Sequence, residues 1–356
     1  MALWDVLSNL VQRDARHLER IVIPPQNVLP AQGDAVPLAA GEGYFRLWVA
    51  EMFLAADREW FHTFYPVVQS LTTFQFGGGA KPVEIAQVAG PGHLQKVDPA
   101  NLDKVIQVNH TLTPLVPFAG GTVQIEAGLL AMQADDLLQR FLDVVGGFSV
   151  LLAVPQLSTA LGIASTVSDG VEKLLGVGSN RLVLGYQQTF AGSGGGTQLG
   201  PTHVALLNAQ SGSTKPEHYW VKNGSLHYGS DAEQAAALSG VDYMLLRLET
   251  LPERDDWDGL AAINEPWKKA IDSLSQTDPS GLPRLADAET FVRIAAVAAL
   301  NSPDLTAKDR VRVAKAIQAR FKEYKAALGF DAESAAAGTP FGEPPSAAEA
   351  ARAAAQ

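Results

Sequence analysis

The feature that most constrains this chain is a two-residue alternation of large apolar side chains, carried in runs that stop at Gly, Pro, Asn or Asp. Successive Cβ atoms of a strand point to opposite faces, so a period of two is the signature of a pleated, half-buried surface. In GYFRLWVAEMFLA, alternation puts Phe45, Leu47, Val49 and Phe53 on one face and Tyr44, Arg46, Trp48 and Met52 on the other. Both faces are partly apolar, which fits a strand covered on both sides or a wide aromatic surface. REWFHTFYPVVQSLTTFQFGGG continues the pattern, with Pro66 restricting part of it to an edge, a bend or a break between strands. PVEIAQVAG, KVIQVNHTL and GTVQIEAGLL add shorter runs, and NRLVLGYQQTF, THVALLN and VDYMLLRLETL resume the pattern later.

Elsewhere the period changes. Leu137, Leu138, Phe141, Leu142 and Val145 fall at helical spacing before Gly146 and Gly147, so residues 132–176 read as a mostly buried helical insertion. ADAETFVRIAAVAALN and TAKDRVRVAKAIQARFKEYKAALG read as an antiparallel helical pair over 284–330, the second with Thr306 and Asp309 in capping-box spacing. Leu3, Val6, Leu7, Leu10 and Val11 predict a short amphipathic helix over residues 2–20, stopped by Pro24 and Pro25 and followed by a linker to residue 42. Beyond Asp331 the sequence is almost bare of large apolar side chains, which predicts a disordered tail over 331–356. The expected fold is therefore α+β: a β-sandwich-like body over 43–275 with a buried helical insertion, then the C-terminal helical pair.

Composition narrows the function classes. Lys and Arg number 27 against 38 Asp and Glu, a net charge of -11, so the summed field repels nucleic-acid phosphates and anionic lipid. No nucleic-acid partner is expected. Cysteine is absent, which removes thiolate metal sites, iron-sulfur clusters, cysteine nucleophiles and disulfides together. The first residues carry Asp5 and no basic region ahead of an apolar run, so a signal peptide is not expected and a cytoplasmic location is the default.

Four stretches invite a chemical reading. In EHYWVKNGSLHYGS the Asn-Gly pair sets a two-residue hairpin turn that places Lys222 opposite Ser225, Trp220 opposite His227 and His218 opposite Gly229. Tyr219, Val221, Leu226 and Tyr228 then form its core face. The other face gathers His218, Trp220 and His227, with His203 on a neighbouring strand, into a candidate ligand site. No carboxylate stands in register to complete a metal shell, so no metal or cofactor is expected there. The glycine-rich AGSGGGTQLGP lacks the Lys-Ser/Thr of a phosphate loop and precedes a strand pattern, which leaves a flexible connection. Residues 144–168 carry no charge, yet Gly, Ser, Pro and Gln dilute them and the flanks are acidic, which favours burial over insertion in a membrane. Glu249, Glu253, Asp255, Asp256 and Asp258 crowd one stretch without the oxygen spacing of a calcium loop, and Asp255 or Asp256 reads as a helix cap.

The reading that follows is a non-enzymatic scaffold or protein-interaction module, self-association being one form of that interaction. Trp48, Trp60, Phe61, Phe64 and Tyr65 are its candidate interaction surface. One alternative is an enzyme or ligand-binding protein with its site at the hairpin. Another is a conditional membrane-active protein using residues 144–168.

Overall fold

The computed structural model describes residues 18–31, 36–55, 58–59, 62–75, 82–90, 106–133, 181–192, 197–209, 215–276 and 284–328. The chain divides after Glu253 into two compact units. The first is built of strands. In chain order they are β1 (Leu18–Ile23), β2 (Val28–Leu29), β3 (Tyr44–Phe53), β4 (Arg58–Glu59), β5 (His62–Gln75), β6 (Val83–Ala89), β7 (Ile106–Thr111), β8 (Val116–Pro117), β9 (Thr122–Gln133), β10 (Arg181–Ala191), β11 (Thr202–Asn208), β12 (Tyr219–Lys222), β13 (Ser225–Tyr228), β14 (Ala236–Ala237) and β15 (Tyr243–Leu251).

Three sheets stack as layers. The middle one runs β1-β11-β15-β3-β7 with β8 also on β3, a second runs β10-β9-β5 with β4 and β6 on β5, and a small third runs β14-β13-β12-β2. All pairings are antiparallel except β12 with β2. The sandwich core lies between the first two sheets, where Val123, Ile125, Ala127 and Leu129 of β9 meet Phe45, Leu47 and Val49 of β3 and Leu246 and Leu248 of β15. A second apolar cluster lies on the other face of the middle sheet. There Ala205, Leu207, Tyr243 and Leu245 are covered by Val28, Tyr219, Val221 and Leu226 of the small sheet. The α+β class and the sandwich body expected from alternation are what the chain forms.

Alternation fails at one point in β3. Counting by twos puts Phe53 with Phe45 and Met52 with Trp48, but Met52 lies in the sandwich core and Phe53 under the small sheet. The register explains the reversal. Leu245 and Leu246 of β15 face Glu51 and Val49, so Ala50 is an extra residue on β3. A bulge of this kind flips every side chain beyond it to the opposite face. It turns Glu51 away from the sandwich core and toward the hairpin.

The second unit holds three helices, α1 (Ala261–Ser275), α2 (Leu285–Asn301) and α3 (Ala307–Ala327), around a core that includes Ile263, Val292, Ala295, Val313, Ile317 and Phe321. The expected pair is α2 and α3, and PWKKAIDSL lies in α1, which packs in the same unit. Thr306 caps α3 by accepting the Asp309 amide at 3.3 Å. Arg254 is fully buried: its amide donates to Asp309 at 2.7 Å, its Nε to Asp256 at 2.7 Å and its Nη1 to the Asp304 carbonyl at 3.2 Å. A buried guanidinium is tolerable only with such partners.

Most of the helix expected over residues 2–20 lies outside the described residues, and its last three positions belong to β1. All but the first two residues of the expected 132–176 insertion, with the uncharged 144–168 run inside it, lie outside them too, as does the 331–356 tail. Among the described residues no helix is long and apolar enough to cross a membrane.

Candidate functional site

Cross-strand register builds one row of side chains on the outer face of the middle sheet. Ile23 of β1 pairs with His203 of β11, His203 with Arg247 of β15, Arg247 with Trp48 of β3, and Trp48 with Thr111 of β7. Directly opposed residues share a face with Cβ atoms roughly 5 Å apart, so these five side chains form a continuous band. One step along the strands, Glu249 pairs with Arg46. The sequence places these groups by simple alternation: Arg46 and Trp48 are two apart, as are Arg247 and Glu249.

Trp48 is the centre of this surface. The Arg46 guanidinium carbon lies 4.7 Å from its ring centroid and that of Arg247 4.5 Å, both within the range of a cation-π contact. The indole Nε1 donates to Glu249 Oε2 at 2.8 Å, and Arg46 Nε donates to the same oxygen at 2.8 Å. Glu249 therefore neutralises Arg46 and orients the ring. No ion pair reaches Arg247 among the described residues, and its Nε is buried without a hydrogen-bond partner. Burial, opposed by Glu249 and aided by Arg46, lowers the Arg247 pKa. The cation is kept on the indole face but is short of an acceptor.

His203, next in the row, is 3% exposed. Burial, and then the Arg247 cation, lower its pKa to about 4, so the imidazole is neutral at physiological pH. Across the Arg46–Trp48–Arg247 surface two guanidiniums stand against one carboxylate.

No family model, curated protein or solved structure matches the chain.

The hairpin forms as its sequence reads. Trp220 faces His227, Lys222 faces Ser225, and the Gly229 amide donates to the His218 carbonyl at 2.9 Å. Asn223 and Gly224 have φ of 51 and 84°, the two positive values of a type I′ turn. Tyr219, Val221 and Leu226 are buried, as expected of the core face. Tyr228 is 39% exposed instead, its ring 4.9 Å from Tyr219 and 5.8 Å from His218. The opposite face spends its polar groups within the hairpin and the loop behind it. Trp220 Nε1 donates to the Gly229 carbonyl at 3.1 Å, Lys222 Nζ to the Ala235 carbonyl at 2.8 Å, and His227 Nδ1 lies 3.1 Å from the Ser225 carbonyl.

Trp220 and His227 thus face each other on the small sheet, His218 ends the 3₁₀ turn Pro216–His218 with its ring against Tyr228, and His203 stands in the middle sheet beside Arg247. Of the candidate interaction residues, Trp48 is half-buried between the two arginines, Phe64 is in the sandwich core, Tyr65 is half-buried, and Trp60 and Phe61 lie outside the described residues. The acidic stretch is dispersed: Glu249 binds Arg46, Asp256 binds Arg254, and Asp258 reaches Arg320 at 3.5 Å. Asp256 precedes a short 3₁₀ turn at Trp257–Gly259 without a side-chain cap, because its carboxylate is taken by Arg254. Among the described residues no three His, Asp or Glu side chains gather as metal ligands. Arg46 and Arg247 escape a reading of the sequence as a site, and Glu249 enters it only with the acidic stretch, since only the β3–β15 pairing makes neighbours of residues about 200 positions apart in the chain.

Proposed function

We propose that the chain is a non-enzymatic protein-interaction module whose contact surface is the Arg46–Trp48–Arg247 face, and that the partner presents a carboxylate-bearing segment to it. The observation that carries this reading is Arg247, a guanidinium stacked on Trp48 that no carboxylate pairs with among the described residues, Glu249 being taken by Arg46. A guanidinium held against an aromatic ring is preorganised for a bidentate carboxylate, because stacking fixes its plane and leaves its edge free. Trp and Arg are also the side chains that most often dominate the energy of protein interfaces. Neutral His203, buried beside it, favours this over acid-base chemistry, since an imidazole held near pKa 4 is a weak base at neutral pH.

Titration of the full chain with a Glu-rich peptide and a Lys-rich peptide of equal length tests the proposal. The acidic peptide is expected to bind and the basic one not. Arg247→Ala is expected to weaken the acidic peptide by about tenfold or more, the loss of a charge-assisted pair. Equal affinity in wild type and Arg247→Ala would refute it.

A further inference from the structure

At one margin of the sandwich both sheets end on edge strands, β1 in the middle sheet and β10 in its partner. Arg20 and Val22 pair with Leu206 and Val204, so they point toward the sandwich interior. Interior they are not: Arg20 is exposed and Val22 is 49% exposed. Across from them β10 presents Tyr186, Gln188 and Phe190, again on its inward face, of which Tyr186 and Phe190 are buried. Between the two strands lies a cleft of about 190 Å³, lined also by Pro37, Thr197, Gln198, Gly200, Pro201 and Thr202. An apolar surface that a closed sandwich would bury is open here.

The polar groups of the cleft have one sign. None of its lining residues is acidic. Arg20 donates from Nη1 to Gln188 Oε1 and makes no ion pair among the described residues. Gln188 turns its Nε2 to the Thr189 carbonyl at 2.9 Å, so its amide serves to orient Arg20. The Tyr186 hydroxyl has no hydrogen bond among the described residues. Burial, only partly offset by the nearby Arg20 cation, pushes its pKa up to about 12, and it stays a neutral donor at physiological pH. A cation with unused donors, a phenolic O–H beside it and a wall of Val22, Phe190 and Val204 together suit an anion with a hydrocarbon body. Size narrows the class. A cavity of about 150 Å³ takes a benzene ring, so this cleft has room for one ring or a short branched chain plus a headgroup.

We propose that the cleft between β1 and β10 binds a small organic monocarboxylate, its carboxylate on Arg20 and the Tyr186 hydroxyl, its aryl or branched-alkyl body on Val22, Phe190 and Val204. The site is separate from the Arg46–Trp48–Arg247 face, and each stands or falls without the other.

Titration of the full chain with benzoate, benzyl alcohol and benzylammonium, followed by ligand-observed NMR or calorimetry, separates charge from ring. Benzoate is expected to bind saturably at millimolar concentration or below, benzyl alcohol about tenfold more weakly, and benzylammonium not at all. Arg20→Met keeps the aliphatic stem on an exposed strand edge and is expected to weaken benzoate about tenfold with an unchanged melting temperature. Tyr186→Phe should weaken it by a smaller factor, and Val22→Trp, which fills the cleft, should abolish it. Equal affinity for benzoate and benzyl alcohol overturns the proposal, as does undiminished benzoate binding in Arg20→Met. So does the absence of saturable binding by both benzoate and the branched acid isovalerate.

Discussion

A neutral imidazole in the row between Ile23 and Arg247 ties the stability of the fold to pH. His203 has an ordinary pKa of 6.5 when unfolded and about 4 when folded. Between those values the unfolded chain binds a proton that the folded chain refuses, so stability falls as pH drops from about 6.5 to about 4 and is unaffected by this group above 6.5. The shift corresponds to roughly 3 kcal/mol at the acid end. Replacing His203 by Gln removes the titrating group and keeps a polar side chain. Urea unfolding of both proteins at pH 7 and pH 4.5 is expected to show the difference between them closing or reversing at the lower pH. Parallel stability at both pH values would contradict the burial of a neutral ring. The sequence could mark His203 and Trp48 as candidates, each for its side chain, yet set them in different sites. Their common neighbour Arg247 was invisible, because strand order in a sheet is fixed by long-range pairing and leaves no trace in local alternation.

Among the elements, the hairpin shows how much a local pattern can specify. Asn223-Gly224 demands positive φ at both turn positions, which fixes the register of β12 and β13 from two residues alone. What it does not specify is the attachment to the sheet beneath. That falls to Glu51, fully buried, whose Oε2 accepts the Leu226 amide at 2.7 Å. The bulge at Ala50 is what aims Glu51 there, and a one-residue irregularity of pairing cannot be seen in a run of alternating side chains. Burial raises the Glu51 pKa above its usual 4.5, against the hydrogen bonds that favour its charge. A carboxyl that holds its proton longer when folded gives stability that is full below about 4.5 and is lost as pH rises through the folded value. Glu51→Gln keeps an oxygen for the Leu226 amide and cannot ionise. Its thermal midpoint relative to wild type is expected to improve steadily as pH rises above 4.5. A difference that does not change with pH would mean that Glu51 is charged throughout.

Over the whole molecule, two charge scales oppose each other. The net charge of -11 would repel the acidic partner proposed above at a distance, while the two guanidiniums around Trp48 would attract it at contact. Salt at about 0.15 M has a screening length of roughly 8 Å, which removes most of the distant repulsion and spares a partly buried contact. Composition therefore disfavours long polyanions such as nucleic acid without bearing on a short carboxylate-bearing segment at the right place. The β-rich body and the C-terminal helices were legible because each follows from a repeating period over many residues. The Arg46–Trp48–Arg247 face was not, since it is assembled from β3 and β15, strands from opposite ends of the first unit. The most direct test is a ¹H-¹⁵N spectrum of the full chain in which the Arg247 Nε–H and the Trp48 indole N–H are assigned, titrated with the Glu-rich peptide. Both signals are expected to move together along one saturable curve, with the indole N–H shifting because its ring carries the cation that is bound. Binding of the peptide with both signals stationary would place the contact elsewhere and contradict the role given to this face.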